Sequence, residues 1–129
     1  MAPPVVRDAH YPGRAPIDAY GNGGFRFAGM SHRGSLLCLP SGIHGWKQAP
    51  ANGVVDGASL APVFAEAAGI QVLLVGTGRD LLPLSPEVRL QCREAGIAAE
   101  PMATGAAVRT FNVLLAEGRR VAAALLAVD

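Results

Sequence analysis

The sequence predicts an α/β fold, an N-terminal β-meander followed by αβαβαβ with a mixed central sheet, and three observations carry that reading. Gln71-Val-Leu-Leu-Val-Gly-Thr-Gly-Arg79 is an unbroken apolar run emptying into two glycines, and with no polar face it belongs inside a sheet covered on both sides. Between residues 17 and 46 short apolar segments are punctuated by glycine, the texture of antiparallel strands. From Ser59 onward, capping residues and glycine stops bracket segments of helical length.

The chain has 129 residues, 50% of them hydrophobic, enough to hide roughly two-thirds of the unfolded surface in one continuous core. The organisation read from it is an extended arm over residues 1–16 and a single α/β domain over residues 17–129. Pro3, Pro4, Pro12, Pro16 and Gly13 keep the arm from forming a regular ladder. Four meander strands are read at 17–20, 25–28, 35–39 and 43–46. Phe25-Arg26-Phe27 alternates apolar and basic, as a strand with one wet face must, and Gly21-Asn22-Gly23-Gly24 supplies residues tolerant of positive φ for a tight reversal. Leu36-Leu37-Cys38-Leu39 has no wet face and belongs in the sheet interior, stopped by Pro40.

In the second half, Ser59 is read as capping a helix over 60–68 with Gly69 as its stop, before the strand at 72–75. Ser85 caps a second helix with Pro86 at its first position and Gly96 as exit, placing Val88, Cys92 and Ala95 on one face. A short strand over 98–102 follows. Thr104 opens a third helix ending at Gly118, with the apolar stripe Ala107, Phe111, Leu114 and Leu115. Residues 120–127 fit strand or helix on composition alone; a strand is read, because a helix straight after Gly118 would leave no short return to the sheet.

The formal charge is +1 and the eleven Lys and Arg are scattered, so there is no concentrated field for nucleic acid or an anionic membrane. Every apolar run stops well short of the ~18 residues of a membrane span. Residues 1–8 have no apolar core behind a positive start, so they do not read as a secretory signal, and the expected location is cytoplasmic. Cys38 and Cys92 are too few for a disulfide framework and read as small buried apolar residues. His10, His32 and His44 are far apart in sequence with no second ligand three or four residues away, so neither metal nor cofactor is expected. There is no Gly-x-Ser-x-Gly elbow, no paired carboxylates within one element and no His-Glu-x-x-His helix.

Two candidate sites remain. Gly76, Thr77, Gly78 and Arg79 stand where ligands bind in open α/β sheets, at the carboxyl end of an interior strand. A dinucleotide cradle needs glycine at the sixth position and a helix N-terminus behind it; here the sixth residue is Leu81 and helix onset waits until Ser85. A small-ligand site at this corner would use Arg109 to neutralise an anion and Asn112 to orient it. The structural alternative for Asn112 is a side-chain hydrogen bond to a neighbouring strand. Leu81, Leu82 and Leu84 lie in a proline-bearing loop expected at the surface, as a lid folded back on the core or a patch offered to another chain. Trp46 reads as a core or groove filler.

Ile17-Asp-Ala-Tyr-Gly-Asn-Gly-Gly-Phe25, Gly34-Ser-Leu-Leu-Cys-Leu-Pro40, Gly45-Trp46, Val75-Gly-Thr-Gly78, Met102-Ala-Thr104, Thr110-Phe-Asn-Val-Leu114 and Glu117-Gly-Arg119 together resemble one family. It is the group of small single-domain α/β proteins that includes mitochondrial respiratory complex I assembly factor 3 and the adipogenesis-associated domain proteins. The resemblance runs from about residue 17 to residue 128, with family motifs meeting at Tyr20, Gly23, Gly24, Trp46, Gly76, Thr77, Gly78, Arg109 and Asn112. It implies a three-layer domain, prokaryotic members without established activity, and a mitochondrial member that acts by binding subunits. The function expected is therefore a non-enzymatic protein-binding domain, assembly-associated by resemblance, whose partners are unidentified proteins such as respiratory-complex subunits or a second copy. The rival is a small anionic ligand binder or enzyme at the corner described above.

Overall fold

The computed structural model describes residues 5–6 and 10–129. The readings made on residues 1–4 and 7–9, part of the extended arm and of the segment weighed as a secretory signal, lie outside them. Two dipeptides of the arm do join ladders: Val5–Val6 (β1) and His10–Tyr11 (β2). The chain continues through β3 (Ile17–Gly21), β4 (Gly24–Phe27), β5 (Met30–Arg33), β6 (Leu36–Leu39) and β7 (Gly42–Gly45). The second half runs α1 (Ala61–Ala65), a 3-10 turn (Ala67–Gly69), β8 (Val72–Gly76), α2 (Pro86–Glu94), β9 (Ala98–Met102), α3 (Thr104–Ala116) and β10 (Val121–Leu125).

The meander is not one sheet. A four-stranded sheet has the order β1-β5-β4-β3, and a six-stranded mixed sheet has the order β2-β7-β6-β10-β8-β9. The division falls after Arg33 for a physical reason: β4 has a wet face, with Arg26 exposed between Phe25 and Phe27, whereas β6 is buried at all four positions and needs cover on both sides. In the β3–β4 hairpin Gly21 pairs with Gly24, and Asn22 and Gly23 take φ of 52° and 78°, the positive values a two-residue reversal demands. Met30–Arg33 was not among the strands read. Its alternation is Met30 in, Ser31 half-out, His32 in, Arg33 out, with a histidine where an apolar residue would have marked the pattern.

The six-stranded sheet separates two cores. Leu36, Cys38, Leu74, Val121, Ala123 and Leu125 face one side, against the small sheet (Ile17, Phe25, Phe27) and the α3 residues Ala107, Val108 and Phe111. Leu37, Leu39, Leu73, Val75, Ala122 and Ala124 face the other, against α1 through Val63 and α2 through Val88 and Cys92. The result is three layers. Parallel β8–β9 and β8–β10 pairings lie on opposite sides of β8, and right-handed crossovers moving in opposite directions across a sheet place their helices, here α2 and α3, on opposite faces.

The helices follow their local chemistry. Ser85 Oγ accepts from Val88 N at 3.2 Å and Pro86 occupies the first helical position, so α2 starts where expected. The first helix is shorter than read and Ser59 does not cap it. Ser59 N donates to Asp56 Oδ1 and its hydroxyl to Asp56 O, both at 2.8 Å, closing a tight turn instead. Trp46 Nε1 then donates to Ser59 O at 2.8 Å, pinning the turn to the core.

Residues 120–127 contain the strand β10, antiparallel to β6 and parallel to β8, with all five residues buried. Its alanines mark close approach of both layers. Ala123→Leu or Ala124→Leu should overpack this site and cost about 1–3 kcal/mol, read as a lower urea midpoint with an unchanged m-value.

Candidate functional site

The Gly-Thr-Gly corner is filled by its own hydrogen bonds. Thr77 N donates to Met102 O at 2.8 Å. The Thr77 hydroxyl, buried, points its proton at Asp80 O at 2.6 Å with Met102 O at 3.1 Å, and its oxygen accepts from Leu82 N at 2.9 Å. Gly78 N donates to Thr104 Oγ1 at 3.0 Å, and that hydroxyl donates to Leu126 O at 2.8 Å. A Cβ at Gly76 would stand 3.0 Å from both Leu125 Cδ2 and Thr104 Oγ1, so glycine is required for the approach of α3 to the sheet.

A helix N-terminus does adjoin this corner, contrary to the sequence reading, which looked only at the helix that follows it. It belongs to α3, and Thr104 N is already satisfied by Gly78 O at 2.8 Å. The first amide of that positive end is thus turned to a backbone carbonyl of the corner itself. Arg79 and Arg109 are exposed. Asn112 is engaged elsewhere: its Oδ1 accepts from Ile17 N and its Nδ2 donates to Ile17 O, both at 2.8 Å, clamping α3 to β3.

The three leucines of the following loop divide. Leu84 is 7% exposed and belongs to the core under α2, so it offers nothing to a partner; Pro86 and the Ser85 cap turn the chain inward there. Leu81 and Leu82 remain exposed, at 58% and 41%.

A third locus was not foreseen. A cavity of about 660 Å³ opens beside β7, floored by Leu37, Leu39 and Trp46 and rimmed by His10, His44 and Glu66. His10 and His44, distant in sequence, are register partners in the β2–β7 pair, and their Nδ1 atoms lie 3.4 Å apart. His44 Nε2 is 2.9 Å from Ser41 Oγ. Glu66 takes Ser41 Oγ–H on Oε2 at 2.7 Å and Ser41 N on Oε1 at 2.8 Å. Desolvation, joined by the neighbouring His10, lowers the His44 pKa below the ordinary histidine value, with Glu66 opposing. The only local signal was Ser41 and His44 three residues apart behind Pro40; the other members lie 25 and 34 residues away. Among the described residues no group of three or more His, Cys, Asp and Glu is placed to hold a metal.

Both cysteines are buried and unpaired. Burial pushes the Cys38 thiol up to about 12 and raises Cys92 as well, so neither supplies a thiolate near neutral pH. Among the described residues no helix is long and apolar enough to cross a membrane.

The architecture is that of a three-layer α/β domain with a six-stranded mixed sheet and a closed glycine corner. The chain belongs to the family described as protein of unknown function (DUF498/DUF598), matched over residues 17–126. It is 44% identical over 126 residues to an uncharacterised protein of Rhodobacter capsulatus, covering 98% of this chain and 93% of the relative. It is 31% identical over 118 residues to mouse NADH dehydrogenase [ubiquinone] 1 alpha subcomplex assembly factor 3, covering 92% of this chain and 63% of that protein's length. A solved structure described as an outer membrane protein from Bartonella henselae superposes with a TM-score of 0.89 at 57% identity, covering 93% of this chain and 100% of that one.

Two substitutions probe this geometry. Asn112→Ala strips both partners from Ile17 and should cost about 1–3 kcal/mol, seen as a lower melting temperature. Thr104→Val keeps the shape but orphans Gly78 N and Leu126 O, and should destabilise by a similar amount, about 1–3 kcal/mol, with faster amide exchange at Gly78.

Proposed function

We propose that this chain is a non-enzymatic protein-binding domain acting in the assembly of a larger complex, with Leu81 and Leu82 at the contact. The observation that carries the reading is exposure combined with fixed backbone. Both side chains are largely in solvent, yet Leu82 N is tied to Thr77 Oγ1, whose proton goes to Asp80 O. An apolar pair already held in place loses little conformational freedom on docking, so more of its buried area is left as affinity. Leu84 anchors the far end of the loop in the core.

The relative from mouse is named as an assembly factor for NADH dehydrogenase, which supports respiratory-complex subunits as partners; a second copy of this chain is the other occupant considered. Action in the cytoplasm is part of the proposal. An anion site at residues 76–78 with Arg79, Arg109 and Asn112 draws less support, because the hydroxyl of Thr77 and the amide of Asn112 are engaged by backbone.

The test is co-purification from the native cell with and without Leu81→Ser/Leu82→Ser, together with light scattering. Wild type should retain NADH dehydrogenase subunits, and the double variant should lose them while melting within about 4 °C of wild type, since exposed substitutions usually change stability by about 0.5 kcal/mol or less each. Undiminished capture by the folded double variant sinks the reading.

A further inference from the structure

The protons of the Glu66–Ser41–His44–His10 chain fall into one order. Glu66 accepts the single hydroxyl proton of Ser41 at 2.7 Å, so Ser41 Oγ meets His44 Nε2, 2.9 Å away, as an acceptor. Nε2 therefore carries the His44 ring proton, and the lone pair of the neutral ring lies on Nδ1. That atom stands 3.4 Å from His10 Nδ1, with the two rings tilted by 53°, and the hydrogen bond between them runs from His10 to His44. Its direction is imposed from the far end of the chain, by the carboxylate.

Such a pair takes up one proton but not two. Charge on His10 leaves its Nδ1–H donating to the His44 lone pair, and the bond becomes charge-assisted. A second proton has only His44 Nδ1 to occupy, which puts an N–H on both facing atoms and two positive charges in contact. We propose that the His10–His44 contact is a pH-operated latch: the second proton parts the rings and swings His10 off the rim of the cavity beside Trp46.

The fold supplies both a fixed and a moving side. His44 is held in β7 through Ser41 and Glu66. His10 is exposed on a two-residue edge strand, directly opposite His44 in the ladder. Its neighbour Tyr11 packs on the first core, and Gly13 N donates to Tyr11 O at 2.9 Å, so the chain beyond His10 stays anchored and provides the hinge. Both rings line the cavity, and parting them widens its mouth.

The surroundings set where the latch operates. His44 is faced by His10 from β2, by Ser41 from the turn between β6 and β7, and by Glu66 from the end of α1. Lys47 shares the cavity rim, and the His32 ring of β5 lies against Gly45. Desolvation first, then His10, lowers the His44 pKa below the ordinary histidine value, with Glu66 opposing. A ring that binds its proton less well in the closed form than when released leaves that form fully stable above about pH 6.5 and weakens it as pH falls from there. The latch is closed at neutral pH and opens on mild acidification. It is independent of the Leu81–Leu82 contact.

Trp46 is the only tryptophan in the chain, is 4% exposed and lines the cavity, so acrylamide quenching of its fluorescence reads the opening. The full chain is titrated between about pH 8 and pH 5, the interval in which histidine charge changes, with far-UV circular dichroism followed in parallel. Wild type should show a quenching slope that rises reversibly by about twofold on acidification, with secondary structure unchanged, as a local opening requires. His10→Ala, a change on an exposed position, should give the raised slope at every pH and no transition. Glu66→Gln removes the charge that favours protonated His44 and should move the transition to lower pH. A wild-type slope that stays flat across the interval overturns the proposal. So does a folded His10→Ala chain that keeps the wild-type response, which assigns it to His32 or another group, and so does a transition accompanied by loss of circular dichroism, since the whole domain then opens.

Discussion

The molecule is organised around a strand with almost no side chains. Val121–Leu125 lies between β6 and β8 with three consecutive alanines, each fully buried. Small residues there let α3 approach from one side and the layer of α1 and α2 from the other, at a density that leaves no tolerance for added methylenes. The strand is also the seam between two kinds of structure, antiparallel toward the meander and parallel toward the βαβ half. Because it alone joins β6 to β8, the sheet is not continuous until residues 121–125 have inserted. Such long-range closure ties both halves into one cooperative unit and slows folding.

The same strand determines what the glycine corner can do. Leu126, just beyond it, donates its N–H to Gly76 O and receives the Thr104 hydroxyl on its own carbonyl. Met102 O closes the other side through Thr77. The place where α/β sheets usually present a ligand crevice is here a knot of backbone hydrogen bonds joining β8, β9, β10 and α3. The polar cluster of His10, Ser41, His44 and Glu66 stands on the opposite rim, beside β7, and the exposed leucines on the loop that Thr77 holds.

Much of this was legible in the residues. The unbroken apolar run of β8, the Ser85-Pro86 start and Gly96 exit of α2, and the stripe on α3 each follow from one local rule, and each element stands where that rule places it. β5 was hidden because His32 is one of its buried residues, and α1 was overextended because Ser59 turns its hydroxyl back to Asp56 rather than forward to the helix. The Asn112 clamp was visible only as two alternatives, since helix periodicity does not say which strand lies opposite. The histidine pair could not be read at all. Its existence depends on the register of a two-residue strand, and no local pattern encodes a register between segments more than thirty residues apart.

The way the six-stranded sheet ends has its own consequence. On one flank the ladder finishes with His10–Tyr11, too short to offer a template, and on the other with β9, where Pro101 removes an N–H from the outward row. Both rims are thereby blunted against the edge-to-edge pairing of one sheet with another that leads to fibrils. With a formal charge of only +1, it is the borders of this sheet that oppose its growth from one molecule to the next.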